Sequence, residues 1–324
     1  MSSLHQNAVI FDGLVISNFT RQVLEDMHSG GITAANCTCS IWEGFEPTMR
    51  NVARWMRSFE ENSDIILQVH STADILKAKA EGKVGIVLGW QNTSGYGDVL
   101  DYVPLFARLG VRVVQLTYNT ANSVGSGCYE SADRGLTDYG RDLVAAMNAA
   151  GVLVDLSHVA RDTARDAIAA STKPVSYTHC APAGLKTHPR NKSDEELKLI
   201  ADKGGFVGVT MFPAFLARGK GSTVDDYIEA VEYTINLIGE EQVGLGTDLT
   251  QEQPPEFFTW INRDKGDGRK LVDFGEALEL GGFRRSSEFP SITAAMERRG
   301  WKADRIERVL GQNWLRVLRE VWGA

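Results

Sequence analysis

Leu153-Val154-Asp155-Leu156-Ser157-His158 and, one helical segment later, Pro174-Val175-Ser176-Tyr177-Thr178-His179 are short apolar runs that each end in polar residues and a histidine. A nearly continuous apolar run of this length, rich in β-branched residues, suits a strand buried on both faces of a parallel sheet. Residues 161–170 between them carry helical spacing. Outward from this pair the same unit recurs, with apolar runs at residues 8–16, 32–40, 84–91, 111–119, 206–212 and 243–249, making eight strands in all. A further run at 64–70 lies between the second and third and reads as an extra strand or part of an insertion.

Helices are expected at 137–149, 193–203, 223–238 and 303–321 as well. In 137–149, Leu143, Val144 and Met147 share one face, with Asp138 and Arg141 toward the other. Ser193 with Glu196 forms a capping box, and Gly151 and Gly239 stand where left-handed C-caps fall. Alternating strands and helices mean either a closed α/β barrel or a doubly wound sheet. No G-x-G-x-x-G or G-x-x-x-x-G-K-[ST] stretch supports a nucleotide fold. Polar and ionisable residues close almost every strand at its C-terminal tip, the rim where barrel enzymes work. The expected fold is therefore a (β/α)8 TIM barrel of one domain, 1–324. A Pro-, Gly- and charge-rich excursion at about 251–289 follows strand eight.

The 324 residues carry a net charge of −8 and show no basic patch, which argues against a nucleic-acid partner. No apolar stretch is long enough to span a bilayer, and the polar N-terminus lacks the pattern of a signal peptide. Cys37, Cys39, Cys128 and Cys180 have no framework spacing and read as reduced thiols of a cytoplasmic protein.

His158 and His179, on adjacent strand tips, can converge on one point above the barrel, where two imidazoles could hold a metal ion. Asp248, ending strand eight, is a candidate general base or a partner for an amine. Arg190, just before a helix, suits a substrate carboxylate, although pairing with Asp194 or Glu195 is an equal alternative. Gln91 at strand three, with Tyr118 and Asn119 at strand four, can orient a substrate but supply no anionic charge. Cys37 and Cys39 point to one side of their strand. Small buried thiols filling the barrel are the commoner reading of such a pair.

Together, Gly135-Leu136-Thr137 with Gly140-Arg141, Leu153–Val159, His188–Asp194, residues 204–215 and 243–249, and Gly311-Gln312-Asn313-Trp314-Leu315 make the chain resemble the membrane (renal) dipeptidases. These are zinc metallopeptidases with metallo-dependent hydrolase-like barrels. The resemblance implies hydrolysis of dipeptides or related amides at two zinc ions bridged by a glutamate and a hydroxide. It implies that His158 and His179 match the later histidine ligands, Arg190 the arginine that binds the substrate carboxylate, and Asp248 the aspartate that moves protons. It also implies a homodimer.

The departures are specific. Leu14 and Ile16 replace the H-x-D ligand pair of strand one, Gln91 the bridging glutamate, and Tyr118 a histidine beside strand four. Without carboxylates, two dications would stand among neutral ligands, so no binuclear centre is expected. The leading expectation is a dipeptidase-like hydrolase of a small carboxylate-bearing amide, with at most one zinc at His158 and His179. The alternatives are a metal-free acid/base enzyme, in which Asp248, Tyr118 and Cys37 assist His158 or His179 on a carboxylate substrate held by Arg190, and a non-catalytic binding protein on a dipeptidase scaffold.

Overall fold

The structure, a computed structural model, describes residues 2–271 and 279–323. Among the described residues nine parallel strands form one sheet: β1 Phe11–Val15, β2 Ala34–Ser40, β3 Ile66–Gln68, β4 Val84–Trp90, β5 Val111–Gln115, β6 Leu153–Asp155, β7 Ser176–Cys180, β8 Phe206–Val209 and β9 Val243–Leu245. Their order is β1-β2-β4-β5-β6-β7-β8-β9, with β3 paired to β4 off this path. The run at 64–70 is thus an extra strand. The sheet closes where Asp248 N–H donates to Leu14 O and Ile16 N–H to Leu249 O, both at 2.9 Å. The result is a (β/α)8 TIM barrel with a ninth, accessory strand.

The chain's own small residues shape the barrel floor. Trp314, from the helix Asn313–Trp322, stacks near Phe11 and Phe206 at the strand starts, with ring centroids at 5.2 and 4.3 Å. Its indole N–H donates to Leu245 O at 2.8 Å. A Cβ at Gly13, Gly208 or Gly244 would collide with or crowd this ring. Trp314 thus fills the strand-start end, opposite the C-terminal rim where barrels of this kind carry their sites.

The strands are shorter than their apolar runs because tip residues leave the ladder to turn inward. β6 ends at Asp155, whose carboxylate receives the N–H of Ser157 at 3.0 Å and the hydroxyl of Thr178 at 2.8 Å. Asp12 repeats this device on β1. It accepts from Leu14 N–H at 3.2 Å, Thr247 N–H at 2.8 Å and the Thr247 hydroxyl at 2.6 Å. Each aspartate thus ties its own tip to the neighbouring strand.

Asp12 is fully buried, and burial lifts its carboxyl from 3.8 to about 7 against the pull of its three donors. A raised carboxyl takes up a proton on folding, so its contribution to stability is present below the unfolded value and lost as pH rises through about 7. Asp12→Ala leaves three buried donors unpaired and is expected to cost about 3–5 kcal/mol. Urea unfolding of the variant at pH 5 and pH 8 checks this. A cost under about 1 kcal/mol, the worth of one ordinary hydrogen bond, would contradict it.

The helix Asp138–Ala150 buries Leu143, Val144 and Met147 as its spacing requires, and ends on Gly151 at φ 64°, a left-handed cap. The Ser193–Glu196 capping box forms. The excursion after β9 includes the helix Pro255–Ile261. Residues 272–278 of that excursion lie outside the described residues. Ile261 joins Ile16, Ile41 and Tyr118 in an apolar cluster to which Trp42, Phe257, Phe258 and Trp260 are packed. This cluster forms an apolar roof over the β1, β2 and β5 side of the barrel mouth. Among the described residues, no helix is long and apolar enough to cross a membrane.

Candidate active site

His158 and His179 meet at the barrel mouth, with their Nε2 atoms 3.0 Å apart. The other nitrogen of each ring is tied down. His158 Nδ1 lies 2.7 Å from Asn119 Oδ1, an acceptor, so it carries the proton. Thr178 spends its hydroxyl proton on Asp155, so it accepts from His179 Nδ1–H at 2.8 Å. Burial, then the nearby Arg190 cation, hold both imidazoles well below their usual proton affinity. Two neutral rings with Nδ1–H tautomers present two Nε2 lone pairs to each other. That arrangement is repulsive unless a proton or a cation lies between them.

Asn119 therefore orients a histidine, where sequence reasoning had it touching substrate. It does so from a left-handed backbone, φ 62°, which is uncommon outside glycine but tolerated by asparagine. Tyr118 stacks on His158, with ring centroids at 4.3 Å and planes at 28°, and meets Trp42 edge-on. Burial pushes its phenol upward, so it stays neutral and can act only through its ring and hydroxyl hydrogen bonds. Gln91 is buried. Its amide donates to Thr38 Oγ1 at 3.0 Å, and its main-chain carbonyl accepts from Gln115 Nε2 at 2.6 Å.

Arg190 is fully buried. It donates from Nη1 to Ser157 O and from Nη2 to His179 O at 2.7 Å, so it does not pair with Asp194 or Glu195 through these atoms. Its guanidinium lies over the Phe215 ring at 5.5 Å, and its Nε is buried without an acceptor. Asp248 stands at φ 60° on the tip of β9. Burial raises its carboxyl from 3.8 to about 7; Arg190 pulls it down, while Asp12 and Asp155 push it up. These couplings, with that of Asp248 to the Tyr118 phenol, bring the residues into one electrostatic neighbourhood.

Sequence reading missed the flap that follows Asn119. Cys128 N–H donates to His158 O at 2.8 Å and Tyr129 N–H to Asn119 O at 2.9 Å, which lays this loop across the tips of β5 and β6. The signal available was Gly125-Ser126-Gly127, a turn marker. A Cβ at Gly127 would strike the Asn119 backbone. Cys37 and Cys39 are buried, and burial holds both thiols protonated, Cys39 at about 12.

Leu14 and Ile16 are buried apolar side chains, Gln91 is neutral, and among the described residues no group of three or more His, Cys, Asp or Glu is placed to hold a metal. His158 and His179 supply two nitrogen donors of the tautomer a metal ion requires.

Comparison with known proteins agrees with this architecture. The family described as membrane dipeptidase (peptidase family M19) matches residues 14–258 and 272–323. A crystal structure of an amidohydrolase from Pseudomonas aeruginosa is 51% identical and superposes with a TM-score of 0.98, covering 99% of this chain and 98% of that one. A probable dipeptidase, PvdM, from the same organism has the same fold: TM-score 0.82 and 20% identity, over 98% of this chain and 96% of that one. Dipeptidase tcpJ from Claviceps purpurea is 28% identical over 277 residues, covering 85% of this chain. The match spans 60% of the length of that relative.

Proposed function

The chain belongs to the membrane dipeptidase family, peptidase family M19, and from that premise we propose that it hydrolyses a small carboxylate-bearing amide, a dipeptide or an N-acyl amino acid, at the mouth of its barrel. The observation that carries this reading is the fully buried Arg190, with an unpaired Nε, beside a tautomer-locked histidine pair. A guanidinium held by main-chain carbonyls keeps its charge for a ligand, and a carboxylate matches its geometry.

Arg190 binds the substrate carboxylate and so fixes the amide beneath the roof. Asp248, with a carboxyl near pH 7, takes the proton of the attacking water and returns it to the leaving nitrogen as the C–N bond breaks. Leu14, Ile16 and the cluster under the helix Pro255–Ile261 keep one wall apolar and exclude bulk water. His158 and His179 would hold one divalent ion, which when bound would acidify a water molecule.

The test is product analysis on a panel of dipeptides and N-acyl amino acids, with and without chelator, alongside metal content after zinc loading. We expect turnover and no more than one equivalent of zinc, falling below about 0.2 equivalents in His179→Ala. Two equivalents would overturn the one-ion assignment. Turnover that survives chelation would transfer the chemistry to the side chains alone. Ligand binding with no turnover anywhere on the panel would leave a binding protein and sink the hydrolase reading.

A further inference from the structure

Arg190 Nε is not the only buried donor without an acceptor in this region. The hydroxyl of Tyr129 is buried and also has no hydrogen-bond partner. Its backbone is fixed: Tyr129 N–H bonds to Asn119 O at 2.9 Å, the preceding Cys128 N–H to His158 O at 2.8 Å, and Gly127 bridges to Val159. The Tyr129 ring meets His188 edge-on at 6.4 Å, and His188 in turn packs on Phe215 at 4.9 Å. Phe215 lies under the Arg190 guanidinium, and the main-chain N–H of Arg190 donates to His188 Nδ1 at 3.1 Å. Tyr129, His188, Phe215 and Arg190 thus form one chain of contacts around a fixed cation.

Two buried donors without acceptors, the Tyr129 phenol lying within the electrostatic reach of the Arg190 cation, suit an anion with two or more oxygens. A planar carboxylate can accept from both while neutralising the guanidinium. The phenol is suited to donate. Burial and the neighbouring Cys128 push it upward and Arg190 pulls it down, and the net effect keeps it protonated.

We propose that Tyr129 is the second donor of the carboxylate subsite, its hydroxyl and the Nε–H of Arg190 together selecting a carboxylate over a carboxamide. This deepens the function proposed above and rests on it for the identity of the ligand, not for the geometry. No assigned role covers this residue, and the flap that carries it has no counterpart in the strand-tip pattern.

The probe is N-acetylalanine against N-acetylalaninamide, titrated calorimetrically into the full chain and its Tyr129→Phe variant. We expect the variant to bind the acid about tenfold more weakly and the amide unchanged, because one hydrogen bond to a charged group is lost and the ring packing is retained. If turnover is found on the dipeptide panel, the same factor appears in KM, with kcat within about twofold. Equal acid binding by both proteins overturns the proposal. So does equal weakening of acid and amide, which means the ring only shapes the flap, and so does failure of the native chain to bind the acid. A crystal of the native chain with N-acetylalanine provides a second readout that needs no variant: a carboxylate oxygen within hydrogen-bond distance of Tyr129 Oη supports the assignment, and a water there instead removes it. Acid binding that depends on Tyr129 without hydrolysis anywhere on the panel would sink the hydrolase reading alone.

Discussion

Asp248→Asn is expected to lower kcat/KM by about 10²–10⁴-fold, the worth of a positioned general base. The substitution isolates proton transfer. Asparagine has nearly the same shape and tolerates the left-handed backbone at φ 60° that most side chains resist, so the tip of β9 keeps its course. The native carboxyl, lifted to about 7 by burial, ionises as pH rises through that value. Acting as base, it makes kcat/KM climb through about pH 7, and the asparagine variant has no such limb.

The stability change has the opposite sense. A carboxyl raised on folding stabilises the fold below its unfolded value and loses that contribution through about pH 7. The variant is therefore favoured relative to the native protein more at pH 8 than at pH 5. A pH–rate profile from 5.5 to 9, with thermal melts at both ends, checks the pair. A native profile with no inflection near 7, or a variant that keeps native turnover, removes Asp248 from proton transfer.

Arg190→Lys is expected to lower kcat/KM by about 10²–10³-fold, mainly through KM, and Arg190→Met by at least as much. An ammonium keeps the charge but cannot donate to Ser157 O and His179 O and still present a planar face to a carboxylate. The lost charge-assisted hydrogen bond from Nε, at about 1.5–3 kcal/mol, and the penalty of about 1–3 kcal/mol for a buried substrate oxygen left without a donor account for a loss of that size. The methionine variant also leaves two buried carbonyls without donors, so its midpoint of thermal unfolding falls, while a carboxamide analogue of the substrate loses less. Equal losses for acid and amide would assign Arg190 to holding β6 and β7 together, not to the ligand.

The barrel and the rim were legible because both depend on local pattern. Apolar runs spaced by amphipathic segments force strands and helices, and a strand tip such as Thr178-His179 or Thr247-Asp248 must project from the C-terminal end once the sheet closes. Hence His158, His179, Arg190 and Asp248 could be named as a set before any distance was known. Asn119, Gln91 and Tyr129 could not be assigned in the same way. Whether an amide or phenol faces a ligand or a neighbouring ring depends on partners distant in sequence. Asn119 meets a histidine thirty-nine positions on, and Gln91 a threonine fifty-three positions back.

By itself, then, the sequence determined the architecture and which residue types stand at the strand tips, with Leu14, Ile16 and Gln91 among them, since side-chain chemistry and periodicity are written one residue at a time. Tertiary structure alone decided which tautomers the two imidazoles adopt, how high burial lifts Asp248, and which buried donors remain without acceptors. Those properties belong to no single residue. They arise from the field and the hydrogen-bond supply that distant segments create when the sheet closes.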